Sequence, residues 1–328
     1  MPVAAASQSV TLGDLGEFAL IEALTAGLPQ MPSVLIGPGD DAAAITARHT
    51  LLSSIDVMVE GVHFRRDWTE PREIGRKAVA VNVADIEAMG GRAVGLLVAF
   101  SAPADLPAPW ALAFGEGVHA ECAATGVALI GGDVTRARDI TIAVTVLGDT
   151  DGLEPVRRSG AQPGDVVAMI GRLGWAAAGL LVLGRGFRSP RAVVEAYRMP
   201  QVPYGAGAVA ARAGAHAMID ISDGLLADLG HVAVASGVDI DIRRDAFAIP
   251  EPLQAVAAAT NVDPYSLILT GGEDHALAAS FTAAAEVPEG WSVIGSVRAA
   301  NPDGPRVLVD GAPWESSTGF DHFRPRRS

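Results

Sequence analysis

An acidic residue lies inside a largely apolar segment of the chain, residues 79–91. Taken as a helix, this segment places Val79, Val83 and Ile86 on one stripe. Asp85 and Asn82, three residues apart, share an edge of that stripe, so Asp85 lies beside the expected core. Because an uncompensated buried carboxylate is costly, Asp85 needs a cation, a hydrogen-bond donor or a raised pKa. A single acid of this kind is most often a helix cap or a solvated edge residue, and only repetition of the pattern favours another interpretation.

The pattern is repeated in a set of acids, five of which lie in segments that are otherwise apolar or rich in glycine. These acids are Asp40, Asp41, Asp56, Asp85, Asp133, Asp220 and Asp223. Asp40 fits a glycine turn and Asp223 fits a helix N-cap. Asp56 and Asp220 lie in strand-like runs that an inward-facing acid would destabilise, so a functional role is favoured more strongly for these two. Carboxylates gathered around one cleft would repel one another, and divalent cations would relieve that repulsion.

The ligand types and the neighbouring glycines both point to phosphate chemistry. Oxygen ligands without cysteine or histidine suit Mg²⁺, which binds through a few carboxylates together with substrate phosphates. Gly37, Gly131–Gly132 and Gly271–Gly272 lie next to such acids or in the same segments. Glycines let the backbone approach a ligand closely and present N–H groups to phosphate oxygens. The combination predicts magnesium-assisted phosphate chemistry.

Length, charge and composition limit the class of protein. With 328 residues the chain is long for one hydrophobic core, and two domains are expected. The net charge of −14 argues against nucleic acid and anionic membrane surfaces as partners, and no apolar run has the length of a membrane span. The single cysteine, Cys122, fits a reducing compartment, so a cytoplasmic protein is expected. The single lysine, Lys77, follows Arg76, which excludes a Walker A sequence.

The order of the expected elements predicts an α/β (α+β) fold. Expected strands lie at 51–60, 93–101, 127–130, 140–148, 166–170, 217–222 and 239–242, and expected helices at 12–26, 71–89, 110–125, 175–183 and 190–197, with others opening at Asp223 and Asp263. Gly205 and Gly207 lack a complete dinucleotide-binding pattern and are interpreted as turn residues. The polar, turn-rich run at 149–165 is typical of a domain boundary. We therefore expect an N-terminal domain at 1–150 and a C-terminal α/β domain at 151–328.

Eight motifs in order cover nearly the whole chain. They begin at Gly39, Asp56, Ala80, Gly131, Arg158, Ile219, Gly271 and Gly319. Together they resemble the ordered motifs of the thiamine-monophosphate kinase family, which belongs to the aminoimidazole-ribonucleotide synthetase superfamily of ATP-using enzymes. The resemblance implies a two-domain subunit whose N-terminal domains pair into a β-barrel across a homodimer, with ATP in the cleft.

The resemblance also implies an activity and assigns roles to residues. The activity is transfer of the γ-phosphoryl group of ATP to thiamine monophosphate, the last step of thiamine diphosphate synthesis, with several Mg²⁺ ions and without a covalent nucleophile or an obligatory side-chain base. The implied metal ligands are Asp41, Ser54, Ile55, Asp56, Asp85, Asp133, Asp220 and Asp223. The implied ATP contacts are Gly132, Asp133, Arg158 and Ser222, and the implied thiamine-substrate contacts are His63, Glu273 and Phe320.

Some residues depart from the family pattern, and two alternative functions are considered. The family usually has Thr where Ile55 stands, so only a backbone carbonyl could coordinate there, and it usually has Tyr where His275 stands. Another substrate of the superfamily is an alternative, although the cysteines typical of selenophosphate synthetase and of the hydrogenase-maturation protein are absent. A catalytically silent nucleotide- or metal-binding regulator is the alternative from a different class.

Overall fold

The computed structural model describes residues 10–27, 31–38, 42–315 and 319. Within these ranges the chain forms two compact units. The first comprises Met1–Ile86 and Arg92–Gly152, as far as they are described, and the second comprises Glu87–Gly91 and Leu153–Ser328 with the same restriction. Five residues at the end of a long helix and its following turn thus group with the C-terminal half of the chain.

The first unit combines helices with a mixed sheet. Its described helices are α1 (Leu12–Leu15), α2 (Glu17–Thr25), α3 (Pro71–Ala88) and α4 (Ala108–Thr125), and its strands are β1 (Val34–Ile36), β2 (Ala44–Ile45), β3 (Leu51–Val59), β4 (Arg92–Ala102), β5 (Ala128–Arg136) and β6 (Thr141–Asp149). The larger sheet has the order β3-β6-β4-β5. Strands β4 and β5 are parallel and are connected by α4, while β6 is antiparallel to both of its neighbours. Strand β3 is therefore an edge strand.

Helices α3 and α4 lie close together over one face of this sheet. A Cβ on Gly75 would lie 2.1 Å from the carbonyl oxygen of Phe114, and a Cβ on Gly117 would lie 2.1 Å from that of Arg72. Only glycine allows the two backbones to approach this closely. Phe114 of α4 stacks on Phe100 of β4 at a centroid distance of 5.2 Å. The packing fixes α3 against the sheet.

The opposite face of the same sheet presents apolar side chains to solvent. Ile55 is 60% exposed and Val57 45% exposed on β3, and Leu97 of β4 is 36% exposed. The strand registers pair Ile55 and Leu97 with the same residue, Thr145, so these side chains share a face. Exposed apolar side chains clustered on one sheet face are typical of a surface that another protein covers.

The second unit contains a mainly antiparallel sheet with helices. Its described strands are β7 (Val166–Ile170), β8 (Ala217–Ile221), β9 (Val238–Ile242), β10 (Ala276–Phe281), β11 (Ser292–Ala299), β12 (Val307–Val309) and β13 (Ala312–Pro313), and its helices are α5 (Trp175–Gly184), α6 (Arg191–Arg198), α7 (Ala206–Arg212), α8 (Leu225–Ser236), α9 (Glu251–Thr260) and α10 (Pro264–Thr270). The strand order is β13-β12-β9-β11-β7-β10-β8, with β9 and β12 parallel. Strand β8 carries Asp220 at one edge of this sheet.

Several expected elements differ from the structure. The strand expected to end at residue 130 continues as β5 to Arg136, because Gly131–Arg136 pair in register with β4. The interpretation of Gly207 as a turn residue is wrong, because Gly207 lies within α7, which begins directly after the turn residue Gly205. The side chain of Glu87 accepts the N–H groups of Gly205 at 2.7 Å and Gly207 at 2.9 Å. This capping carboxylate is remote in sequence, so the residues just before the helix carry no side-chain N-cap that would mark its start.

Burial raises the pKa of Glu87, and the hydrogen bonds from Gly205 and Gly207 oppose that rise.

Helices α9 and α7 and strand β10 were not expected from the sequence. In the described ranges, no helix combines the length and apolarity that crossing a membrane requires. The cysteine, Cys122, is free and buried in α4.

Candidate active site

A polar cluster lies between strand β3 and helix α3. The Ser54 hydroxyl donates to a carboxylate oxygen of Asp85 at 2.5 Å, and the backbone N–H of Asp56 donates to the side chain of Asn82 at 3.1 Å. The Asn82 amide in turn donates to the carbonyl of Ala78, one turn earlier in α3, at 2.9 Å. Asn82 is buried, while Ser54, Asp56 and Asp85 are half-buried. The expected neighbourhood of Asp85 and Asn82 on α3 is confirmed.

The oxygen donors of this cluster fit a hard divalent cation. A serine hydroxyl and two carboxylates, with no cysteine or histidine among them, match the ligand preference of Mg²⁺. The alternation along β3 places the side chains of Ser54 and Asp56 on one face and that of Ile55 on the other. Ile55 therefore directs its side chain away from the cluster, and only its backbone could take part in metal binding.

Asp133 lies away from the β3–α3 cluster within one chain. The registers align Asp133 with Ala99, Ala99 with Ala143, and Ala143 with Val57. Asp133 thus shares the exposed face of Val57, whereas Asp56 lies on the opposite face. Strands β5 and β3 are three strand spacings apart, about 14 Å. The structure does not bring Asp133 together with Asp56 and Asp85.

A cavity of about 760 Å³ opens beside β5 in the first unit. Gly37 and Pro38 line it together with Gly131, Gly132 and Asp133. A Cβ on Gly132 would lie 2.1 Å from the carbonyl oxygen of Val98, so glycine is needed for this close strand pairing. The volume lies in the range of cavities that hold ligands the size of a nucleotide. Two of the glycine segments singled out in the sequence therefore meet at one cavity.

A second group of acids surrounds the end of β8 in the second unit. Asp220 is 5% exposed and its side chain lies 3.1 Å from Nδ1 of His275. Asp228 of α8 accepts the backbone N–H groups of Asp223 and Gly224, each at 3.1 Å. The interpretation of Asp223 as the N-cap of this helix is wrong, because Gly224 occupies that position.

Burial raises the pKa of Asp228 to about 7, and the charges of Asp220 and Asp223 add to the rise. The hydrogen bonds from the Asp223 and Gly224 backbone act in the opposite direction. Asp220, Asp223 and Asp228 therefore lie near enough to one another at the end of β8 for their negative charges to interact. A cation would relieve the repulsion between them.

The remaining expected site residues in the described part of the chain make separate contacts. Glu273 donates its N–H to the carbonyl of Ser222 at 2.7 Å, which joins the glycine turn of residues 271–275 to the end of β8. His63 accepts the N–H of Val59 at Nδ1, at 3.0 Å, so its neutral ring carries the proton on Nε2. Arg158 is exposed, and its carbonyl accepts the hydroxyl of Ser236. Asp41 and Phe320 lie outside the described residues.

One group of side chains that could hold a metal ion was not predicted from the sequence. His49, Asp149 and Asp151 place ligand atoms within 4.8 Å of one another. Asp149 already accepts hydrogen bonds from the backbone of Arg48 and Asp151 and lies 3.0 Å from His49 Nδ1. These bonds outweigh desolvation and lower the pKa of Asp149 to about 2. The Asp149 carboxylate therefore holds the backbone of Arg48 and Asp151 in place. Its position at the end of β6 is the sequence feature from which this group could have been predicted.

The matching family models define the class of protein. Residues 39–150 match the N-terminal domain of AIR synthase related proteins, and residues 162–307 match the C-terminal domain of the same family. A thiamine-monophosphate kinase from Mycobacterium tuberculosis is 48% identical over 322 residues, which cover 97% of this chain and 95% of the relative. The chain belongs to the thiamine-monophosphate kinase family.

Solved structures agree with this assignment. A structure described as AaThiL complexed with AMPPCP and TMP superposes with a TM-score of 0.78 at 31% identity, covering 97% of this chain and 100% of that chain. The thiamine-monophosphate kinase of Stenotrophomonas maltophilia gives a TM-score of 0.76 at 32% identity, covering 89% and 95%. The two-domain α/β fold of the AIR synthase type is therefore confirmed.

Proposed function

We propose that this protein transfers the γ-phosphoryl group of ATP to the phosphate of thiamine monophosphate, giving thiamine diphosphate and ADP. The observation that carries the proposal is 48% identity over nearly the full length to a thiamine-monophosphate kinase. A similar structure holding AMPPCP and TMP supports both substrates. The clustered carboxylates would bind the metal ions that neutralise the phosphate charges in phosphoryl transfer.

The acceptor needs little activation by the protein. A phosphate monoester, whose second pKa is near 6, is largely dianionic at neutral pH, so no side-chain base is required. Repulsion between the two anions is the main barrier, and positioning and charge neutralisation lower it. We therefore infer a direct in-line transfer without a phosphoenzyme.

Magnesium is the proposed metal. When bound, it would neutralise the phosphate tail of ATP and help to align the acceptor with the γ-phosphorus. In the first unit, Ser54, Asp56 and Asp85 would hold it by their side chains and Ile55 by its carbonyl oxygen. The other proposed ligands are Asp41, Asp133, Asp220 and Asp223.

The substrate contacts follow the positions of the motif residues. Gly132 and Asp133 line the cavity beside β5, which supports their proposed role in binding ATP. Arg158 and Ser222 are the proposed ATP contacts of the second unit. The proposed thiamine-substrate contacts are His63, Glu273 and Phe320.

A homodimer with paired N-terminal sheets is part of the proposal, as is a cytoplasmic location. The exposed apolar face of the β3-β6-β4-β5 sheet supports this pairing, because a second copy would bury Ile55, Val57 and Leu97. Asp133 shares that face, so pairing would place it at the interface between the two copies.

Replacing Val57 by Lys is expected to convert the dimer to a monomer, because pairing would bury an unpaired charge. Size-exclusion chromatography with light scattering gives the molar mass. The matched control is Val234→Lys, at a 68% exposed position on α8, which should leave the dimer intact. A monomeric wild-type protein, or a dimeric Val57→Lys variant, would contradict the proposed pairing.

The substrate is tested by ADP release after the protein is mixed with Mg-ATP and thiamine monophosphate. Release should require thiamine monophosphate, and free thiamine and aminoimidazole precursors should not replace it. ADP release with an aminoimidazole precursor instead would place the chain elsewhere in its superfamily. Binding of Mg-ATP without any turnover would favour a silent regulator.

A further inference from the structure

The glycine turn at residues 271–275 has a backbone that side chains rarely adopt. Glu273 has a φ of 70° and His275 a φ of 51°. Non-glycine residues in this left-handed region carry a conformational cost, and they persist where the surrounding structure holds them. Two backbone bonds do so here, from Glu273 N–H to the carbonyl of Ser222 at 2.7 Å and from His275 N–H to that of Ile221 at 3.0 Å.

The residue between these two positions anchors the turn from the other side. The carboxylate of Asp274 accepts the backbone N–H groups of Trp175 at 3.0 Å and Ala176 at 2.9 Å, at the start of α5. Asp274 is 4% exposed, so this capping contact is buried. The backbone of the turn is therefore held to β8 on one side and to α5 on the other, which fixes where the His275 side chain begins.

From this fixed backbone the imidazole of His275 reaches Asp220. The Nδ1 to Oδ2 distance is 3.1 Å, and both side chains are buried, at 6% and 7% exposure. A carboxylate oxygen accepts, so the bond requires the proton of the imidazole on Nδ1. Strand pairing supports the contact, because Leu277 of β10 lies opposite Asp220 of β8. The ring thus orients one oxygen of Asp220.

We propose that His275 is a positioning residue that orients the Asp220 carboxylate for binding a divalent cation with a nucleotide. The proposal rests on the proposed function, in which Asp220 is a metal ligand. A hydrogen bond to a ligating carboxylate fixes its rotamer. The side chain then loses less conformational entropy when the ion binds.

The test measures Mn²⁺ binding in the presence of ADP by electron paramagnetic resonance of the free ion. His275→Ala should weaken Mn²⁺ binding by about 10-fold or more, the usual effect of losing such a partner. His275→Asn should restore most of the affinity, because its amide nitrogen can occupy the position of Nδ1 and asparagine tolerates the left-handed backbone. Equal Mn²⁺ binding by wild type and His275→Ala would overturn the proposal, as would equal losses in both variants.

His216 provides the matched control. Its Nδ1 lies 2.9 Å from Asp165, which is a buried carboxylate without a proposed metal role. His216→Ala removes the same kind of pair and should leave Mn²⁺ affinity unchanged. A loss equal to that of His275→Ala would show that any histidine–aspartate pair of this unit matters only for the fold, and would overturn the positioning role.

A measurement on the wild-type protein keeps the test decisive if His275→Ala fails to fold. The ¹⁵N NMR spectrum of the histidine rings should show the Nδ1-protonated tautomer at His275, and protonation on Nε2 alone would overturn the donor role. The experiments also distinguish the positioning role of His275 from the proposed phosphorylation of thiamine monophosphate. Mn²⁺ binding that depends on His275 without phosphorylation of thiamine monophosphate would refute the proposed substrate and leave the positioning role supported.

Discussion

Replacement of Asp85 by asparagine is expected to lower kcat by about 1,000-fold, equivalent to a few kcal/mol of lost transition-state stabilisation. The change removes a negative charge at nearly constant volume. Asparagine can still accept the Ser54 hydroxyl, so the bond between α3 and β3 is preserved. Initial rates of ADP release with thiamine monophosphate measure the effect.

The control separates loss of charge at the site from a general effect of the substitution. Asp105→Asn changes an exposed acid ahead of α4 in the same unit and should retain wild-type rates. Thermal unfolding of Asp85→Asn without ligands should match that of wild type, because the fold does not depend on this charge. Full activity of Asp85→Asn would refute the proposed role in metal binding.

Gly117→Val is expected to destabilise the first unit by more than about 3 kcal/mol. Even a Cβ at this position would lie 2.1 Å from the carbonyl oxygen of Arg72, so the backbones of α3 and α4 must separate. Because α3 carries Asp85, the shift should also reduce activity before the unit unfolds. Denaturant unfolding followed by circular dichroism, together with the ADP-release assay, measures both effects.

Gly230→Ala is the matched glycine control. It lies within α8, and an added Cβ would meet no atom within 4 Å. Alanine is the better helix former, so this variant should gain up to about 1 kcal/mol. A Gly117→Val variant as stable as wild type would show that α3 and α4 do not require their close backbone approach.

Elements with a strong hydrophobic period could be predicted from the sequence. The helix expected at 71–89 is α3 (Pro71–Ala88), and the strand expected at 51–60 is β3 (Leu51–Val59). Elements that depend on remote partners could not be predicted. Helix α7 begins where the carboxylate of Glu87 accepts its first N–H groups, and that residue lies 118 positions before Gly205. Strand β5 continues through glycines because β4 pairs with them.

The candidate site was predictable as a set of residues, and only in part as an arrangement. Asp85 and Asn82 were expected together because a helix places residues three apart on one side. Their contacts with Ser54 and Asp56 depend on how α3 packs on β3, which periodicity does not encode. The same limit explains why the bond between His275 and Asp220 was not anticipated, since it depends on the pairing of β8 with β10.

Direct transfer from ATP to thiamine monophosphate is tested most sharply by following the transferred phosphoryl group. The protein is mixed with Mg²⁺, thiamine monophosphate and ATP radiolabelled at the γ-phosphate, and the products are separated by chromatography. For direct transfer we expect one labelled thiamine diphosphate for each ADP and no labelled protein at any time. Label that first resides on the protein and then passes to thiamine monophosphate, or that leaves only as inorganic phosphate, would contradict it.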